Sequence, residues 1–346
     1  MYEQKGLMMD SQNILARENE LKPQQDSASN ISIITKALQE LGYSWSDVCL
    51  DNVDYRQFKY EDRVRWTTYI QPALAYPMIH RALSQISRNK TAATDYVESK
   101  GYVTPKSVTV TTGNCQHSEL ENLLEKSQAL VVKPVYGSLS RGVTRNISDA
   151  QILHNTVKAA LLNDDCVIVQ QQFYGDEVRL VVVDGVLAAA VLRQRPQVIG
   201  DGEKQLRQLI EQENAQRGLI SDTMVSYPML NEINCDMPNL NLDSVPYAGE
   251  TVVLGYGSMI ANGASVYDVM DVLAAGYKHM SEDIASSMGA KFLVVDVITR
   301  DPHNFTDYCF LEFNTSPVLK LFYSCRDGQH ADVAPILANA IHKITK

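Results

Sequence analysis

The 346-residue sequence has no CxxC cysteine pair, no apolar run approaching 18 residues and no excess of basic charge. Each absence removes a class of protein. Six scattered cysteines without CxxC spacing make neither a small disulfide framework nor a structural zinc site, and the seven histidines neither cluster beside them nor form HExxH. We expect free, mostly buried thiols and a cytoplasmic, reducing compartment. The longest apolar runs, 188–192 and 291–298, are strand-sized, so no membrane span is expected, and residues 1–20 lack the apolar segment of a signal peptide. A formal net charge of -10 argues against a nucleic-acid coat but leaves room for a locally basic pocket. Neither the GxGxxG fingerprint nor the GxxxxGK phosphate loop occurs. No Ser/His/Asp constellation offers a protein nucleophile.

The composition is ordinary for a folded globule, 45% apolar and 21% charged. At roughly 150 residues per domain the length suggests two or three units. The start, 1–28, is polar. A capped helix follows, ending at Gly42, while 50–70 show charge and aromatics without clear periodicity. Helical spacing predicts helices over 76–86, 91–99, 118–126, 149–162, 202–217, 268–288 and 331–344. Strands are predicted over 129–133, 166–171, 291–298 and 308–312, with a hairpin of 177–183 and 186–191 around Asp184-Gly185. Residues 221–247 read as irregular. Mixed helices and neighbouring hairpins predict an α+β protein with antiparallel sheets rather than a doubly wound fold.

Three groups of residues could carry chemistry. Lys133 ends an apolar strand, held by Pro134, and the turn Gly137-Ser138-Leu139-Ser140-Arg141-Gly142 follows with small residues, amides and a guanidinium suited to phosphate oxygens. A plain surface hairpin remains the alternative. Asp296 and Glu312 end apolar strands, with Asn314 two residues on; a hairpin would join them into a set of hard oxygens suited to Mg²⁺ or Mn²⁺. Simple strand-end solvation is the alternative here. Finally, Glu177 and Arg179 share one strand face, as do Arg193 and Arg195. This is a positive cluster that could hold a carboxylate or acyl phosphate, or could merely form salt bridges across the hairpin.

Taken together, Val131-Val-Lys-Pro134, the loop 137–142, Gly175-Asp-Glu-Val-Arg179 and Glu312-Phe-Asn-Thr-Ser-Pro317 resemble the ATP-grasp superfamily of carboxylate–amine ligases. The nearest branch is that of the ATP-grasp modules of cyanophycin synthetase and bifunctional glutathione synthetase. Arg195-Pro-Gln-Val-Ile-Gly-Asp-Gly202 and the stretch from Val245 to Val252 add to the likeness, which covers about residues 88–340. The resemblance implies an ATP-grasp fold, two α/β lobes clasping ATP, with an N-terminal domain over 1–87, a lid lobe over 88–175 and a catalytic lobe over 176–346. It implies that Lys90 and Lys133 hold ATP phosphates under the loop Gly137, Ser138, Ser140, Arg141 and Gly142. Gln170 and Gln171 would meet adenine, where relatives often have Glu, and Glu177 the ribose. Asp296, Glu312 and Asn314 would bind magnesium, and Arg179, Arg195 and Lys133 would act on the substrate carboxylate or acyl phosphate. The segment Gly257–Gly263 followed by Asp268 resembles a substrate segment of those relatives in altered form.

The implied reaction is transfer of the γ-phosphoryl group to a carboxylate, attack by an amine, and release of ADP and phosphate with an amide or peptide bond formed. The implied partners are small amino acids or peptides, with no nucleic acid and no membrane. Residues 1–87 would either complete the acceptor site or join two copies as a homodimer. A small-molecule kinase and a non-catalytic nucleotide-binding module are the alternatives. From its length we expect a stand-alone ligase without the second catalytic module of either relative.

Overall fold

In the computed structural model, which describes residues 30–50, 53–70, 73–74, 76–114, 117–137, 140–220, 224–231, 240–327 and 331–346, every strand pairing among the described residues is antiparallel. The α+β expectation holds. The central sheet has the order β13-β10-β9-β14-β15. Its strands are β9 (Asp176–Val183), β10 (Val186–Gln194), β13 (Ser265–Asp268), β14 (Phe292–Thr299) and β15 (Tyr308–Asn314). Asp184 and Gly185 both take positive φ, 51° and 79°, the mirror-image turn that suits a two-residue hairpin.

Alternation along β9 builds two cores from one strand. Val178, Leu180 and Val182 pack with α7 (Ala275–Ser287) through Tyr277, Met280 and Ile284. Val181 and Val183 pack on the other face against α8 (Val333–Thr345) and α1 (Asn30–Glu40) through Leu337, Ile341, Ile34 and Leu38. Arg179 and Glu177 continue this second face beyond its apolar part. The first and last described helices are therefore bound into one core.

Residues 50–70, which show no clear periodicity in the sequence, form strands over 53–60 and 63–70. β1 (Ser44–Leu50), β2 (Val53–Tyr60), β3 (Arg63–Ile70) and β4 (Ala73–Leu74) make a four-stranded meander. The alternation was hidden because an inward position of β2 belongs to Arg56. Its guanidinium is buried by a fork to Asp47 at 2.7 Å on each oxygen and a 2.9 Å bond to Thr35 Oγ1. The β2–β3 turn also lacks glycine; Glu61 takes the left-handed φ of 53°.

A second four-stranded sheet, β5-β8-β6-β7, comprises β5 (Ser107–Thr111), β6 (Leu130–Pro134), β7 (Thr144–Ile147) and β8 (Cys166–Gln171). Its apolar face, with Leu130, Val132, Val167 and Val169, lies under α4 (His117–Glu125) and α5 (Ala150–Ala160). A small ribbon, β11 (Gln197–Ile199) with β12 (Thr251–Val253), packs with α6 (Leu206–Gly218). No helix among the described residues is long and apolar enough to cross a membrane.

Three predicted helices start four or more residues later than expected; the one placed at 202–217 is α6, from Leu206. The one placed at 76–86 is α2 (Arg81–Arg88), because His80 Nδ1 accepts from Leu83 N and caps the first turn. The one placed at 268–288 loses its first turns: 265–268 pair with β10 as an edge strand, and Asp268 caps a turn at Met270 N. Of the described cysteines, Cys309 and Cys325 are buried, Cys166 is intermediate and Cys49 exposed; Cys115 and Cys235 lie outside the described residues.

Candidate active site

The cleft lies between the second face of the β5-β8-β6-β7 sheet and the ends of β9, β14 and β15. Alternation sends Val132 of β6 into the core under α4 and α5 and Lys133 to the opposite face, where it is 6% exposed. Lys133 has no hydrogen-bond or ion-pair partner among the described residues. Burial pushes its ammonium from the ordinary 10.5 down to about 8, with Glu312 pulling it back upward. On the adjoining strand Gln170 turns to the same cleft, 2% exposed, and its Nε2 is buried without a hydrogen bond among the described residues. Gln171, one residue on, is exposed on the other face, so the strand separates the expected pair.

Helix α3 (Lys90–Ser99) starts at Asn89, whose side chain caps Ala92 N. Its first residue, Lys90, reaches across to Gly137 O at 2.5 Å and stands 3.7 Å from Glu312 Oε2. The two lysines thus flank the start of the glycine-bearing loop. Gly142 holds φ at 69°, and a Cβ there would sit 3.0 Å from Pro134 Cγ, so glycine is needed at this return. Ser140 also has positive φ, 54°; it and Arg141 are exposed, while Ser138 lies outside the described residues.

The three expected side chains meet, but not at strand ends: β14 runs three residues past Asp296 to Thr299, and β15 runs two past Glu312 to Asn314. Asp296 and Glu312 are register partners across β14–β15, at a bulge that re-aims the strand. Asn314 Nδ2 donates to Asp296 Oδ2 at 2.8 Å and to Glu312 Oε1 at 3.4 Å. Asp296 is fully buried and is held by Arg179, which donates from Nε at 2.8 Å and from Nη2 at 2.7 Å. Burial and the neighbouring Asp296 push the Glu312 carboxyl above its usual range, while Lys90 and Lys133 oppose this. Among the described residues no group of three or more His, Cys, Asp or Glu side chains could hold a metal. The available set is two carboxylates and one amide oxygen. It fits a hard cation that completes its shell with phosphate oxygens, because each carboxylate oxygen has two lone pairs and Arg179 and Asn314 use only part of them.

The other expected cations are paired. Arg193 bonds Glu177 through Nη1 and donates from Nε to Ser258 O at 2.8 Å. Ser258 Oγ donates to Glu177 Oε2 at 2.6 Å. Arg195 donates from its backbone N and from Nε to Asp176 Oδ1, both at 3.0 Å. Salt bridging across the β9–β10 hairpin, one of the two sequence alternatives, is what Arg193 and Arg195 do. Arg179 keeps Nη1 without a hydrogen bond among the described residues. The segment 257–263 docks here through Ser258, and Arg217 clamps its far end by donating to Gly263 O at 2.7 Å and Ser265 Oγ at 3.0 Å.

Sequence reasoning did not find a cavity that the fold forms from α2 and the turn after β15. A cavity of about 440 Å³ opens beside Thr315 and Ser316, directly after Asn314, with Tyr76, Arg81 and Arg88 on its other wall. The available signal was the spacing of seven between the two arginines, which places them on one face of a helix.

No family model matches the chain. The glutathione biosynthesis bifunctional protein of Streptococcus agalactiae is 25% identical over 225 residues, 61% of this chain and 30% of that protein. Cyanophycin synthetase of Crocosphaera subtropica is 27% identical over 228 residues, 62% of this chain and 26% of that one. The chain thus matches under a third of these relatives' length. Among solved structures, a bifunctional glutathione synthetase from Pasteurella multocida superposes with a TM-score of 0.59 at 20% identity, over 92% of this chain and 45% of that one.

Proposed function

Because this chain belongs to the ATP-grasp superfamily, related to bifunctional glutathione synthetases and cyanophycin synthetases, we propose that it is an ATP-dependent ligase joining the carboxylate of an amino acid or small peptide to an amine. One observation carries the proposal: the buried, unpartnered Lys133 ammonium, with Lys90, faces a buried carboxylate group across a cleft. A cation held out of water without a hydrogen-bonded partner is costly, and a phosphate would supply what it lacks. Gln170 Nε2 is a second unfilled donor in the same cleft, suited to an acceptor nitrogen of a base.

In this reading Lys90 and Lys133 bind and orient the phosphates, and the amides of the turn 137–142 close over them. Asp296, Glu312 and Asn314 would hold Mg²⁺ or Mn²⁺, which supplies charge screening of the transferring phosphoryl group. Arg179 fixes the Asp296 carboxylate and presents Nη1 toward developing negative charge on the substrate. The carboxylate attacks the γ-phosphorus and ADP leaves; the amine then attacks the acyl carbon and phosphate leaves, with no protein nucleophile required.

The test is phosphate release from ATP with paired amino acids and dipeptides, products identified by mass spectrometry. Release should require both an acid and an amine, and Lys133→Ala or Glu312→Ala should lower it by about 10²-fold or more. A phosphorylated product formed without any amine would make the protein a kinase. No nucleotide binding, or unchanged turnover in both variants, would overturn the proposal.

A further inference from the structure

Two histidines meet on the outer side of the β5-β8-β6-β7 sheet, where α4 and α5 cover its apolar face, away from the cleft. His117, the first residue of α4, and His154, in the middle of α5, stand with their Nδ1 atoms 2.9 Å apart. Their rings are tilted by 56°, with centroids 4.5 Å apart. That is closer than two imidazoles meeting nitrogen to nitrogen in line would stand, so at least one ring leans out of the line joining the two nitrogens.

The far side of His154 is also fixed. Its Nε2 donates to Glu121 Oε1 at 3.0 Å, and Glu121 lies one turn on from His117 along α4. A carboxylate only accepts, so Nε2 carries the proton and His154 Nδ1 is left as a bare lone pair. This is the arrangement that orients a metal-ligating histidine: a carboxylate on the outer nitrogen and a lone pair on the inner one. His117 is exposed and the His154 side chain is 21% exposed, so a cation and its waters can reach both rings. Helix α4 carries Glu119, Glu121 and Glu125 and no Lys or Arg, against the single base Lys158 on α5.

We propose that His117 and His154 bind one divalent late transition-metal ion through their Nδ1 atoms, with Glu121 as a positioning residue for His154 and water completing the shell. On binding, the proton that His117 holds on Nδ1 moves to its Nε2, so a neutral ring loses no proton overall and both lone pairs go to the cation. With metal–nitrogen bonds of about 2.0–2.1 Å, two ligands at a right angle stand about 2.9 Å apart, against about 3.3–3.4 Å on a tetrahedral ion. The observed separation therefore suits a tetragonal ion, Ni²⁺ or Cu²⁺, better than zinc, and imidazole nitrogen does not suit Mg²⁺. Glu121 grips the far nitrogen and not the cation, so two protein nitrogens rather than three protein ligands define the site. The bound ion would clip α4 to α5. The assignment stands independently of the ligase reading.

The experiment titrates the untagged full chain with NiCl₂ by calorimetry, in excess MgCl₂. One Ni²⁺ should bind per chain without displacement by Mg²⁺, and it should raise the thermal midpoint. His117→Gln and His154→Gln should each abolish that binding and that rise, whereas His303→Gln should change neither. Glu121→Ala should weaken binding about 10- to 100-fold with the stoichiometry kept. Metal-free melts check that the variants fold; His117 is exposed, so His117→Gln carries the test should His154→Gln fail to fold. No Ni²⁺ binding, several equivalent weak sites per chain, or undiminished binding in a folded histidine variant would overturn the site. An affinity in Glu121→Ala equal to that of the parent would overturn the positioning role.

Discussion

Lys133 is held in the cleft at the expense of stability. Its ammonium ordinarily titrates at 10.5 and here near 8, so below pH 8 its burial costs about 3 kcal/mol. Between about 8 and 10.5 the unfolded chain holds a proton the folded one has lost, so this group makes stability rise with pH in that window. Lys133→Met should therefore raise the urea midpoint of the nucleotide-free protein at pH 7 and flatten this rise, while weakening ATP binding. Unchanged stability across pH 7 to 10.5 would show that the ammonium is better solvated than its 6% exposure implies. Arg179 behaves oppositely. Removing it leaves Asp296 fully buried without a counter-charge, which should cost about 3–5 kcal/mol in Arg179→Met by denaturant titration. Much of the loss should return in the double variant with Asp296→Asn.

Among the elements, the junction between β8 and β9 leaves little latitude. A Cβ on Gly175 would lie 2.3 Å from Thr299 O and 2.6 Å from its carbonyl carbon, both backbone atoms of β14. Gly175→Ala should cost about 1–3 kcal/mol, whereas Gly113→Ala, with open space around it, should be near neutral in the same thermal melt. Elements were legible in the sequence where side-chain type followed backbone period. The β9–β10 hairpin shows this: its apolar runs flank an Asp-Gly turn, and its strands fall within a few residues of the predicted limits. Strands β2 and β3 were illegible because Arg56 fills an inward site that only the partners Asp47 and Thr35, from β1 and α1, make habitable. Strand β13 was not read from the sequence, because its pairing with β10 lies some 70 residues away in the chain.

At the scale of the whole molecule, α1 and the β1–β4 meander do not stand apart. Ile34, Leu38 and Phe58 share a core with Val181, Val294 and Leu337, and Arg63 donates to the Thr345 carbonyl at the end of α8 at 2.7 Å. Both tryptophans, Trp45 and Trp66, lie in that meander. Tryptophan fluorescence should therefore unfold at the same denaturant concentration at which the β9 and β14 amides lose exchange protection. Arg179→Met, in a different sheet, should shift the fluorescence midpoint as well. A fluorescence transition insensitive to that substitution would mean that the meander unfolds separately.

Chain order and local pattern were enough for the α+β class, for the strands that carry Lys133, Arg179, Asp296 and Glu312, and for the meeting of Asp296, Glu312 and Asn314. Each of these follows from a period of two or a turn residue, which are properties of neighbouring residues. Burial of Lys133, the choice of Asp296 as the partner of Arg179, the diversion of Arg193 and Arg195 into the β9–β10 hairpin, and the cavity between α2 and the turn after β15 needed the folded chain. All of these depend on groups far apart in sequence sharing one low-dielectric space, where the energy of a charge is set by what stands across from it rather than beside it in the chain.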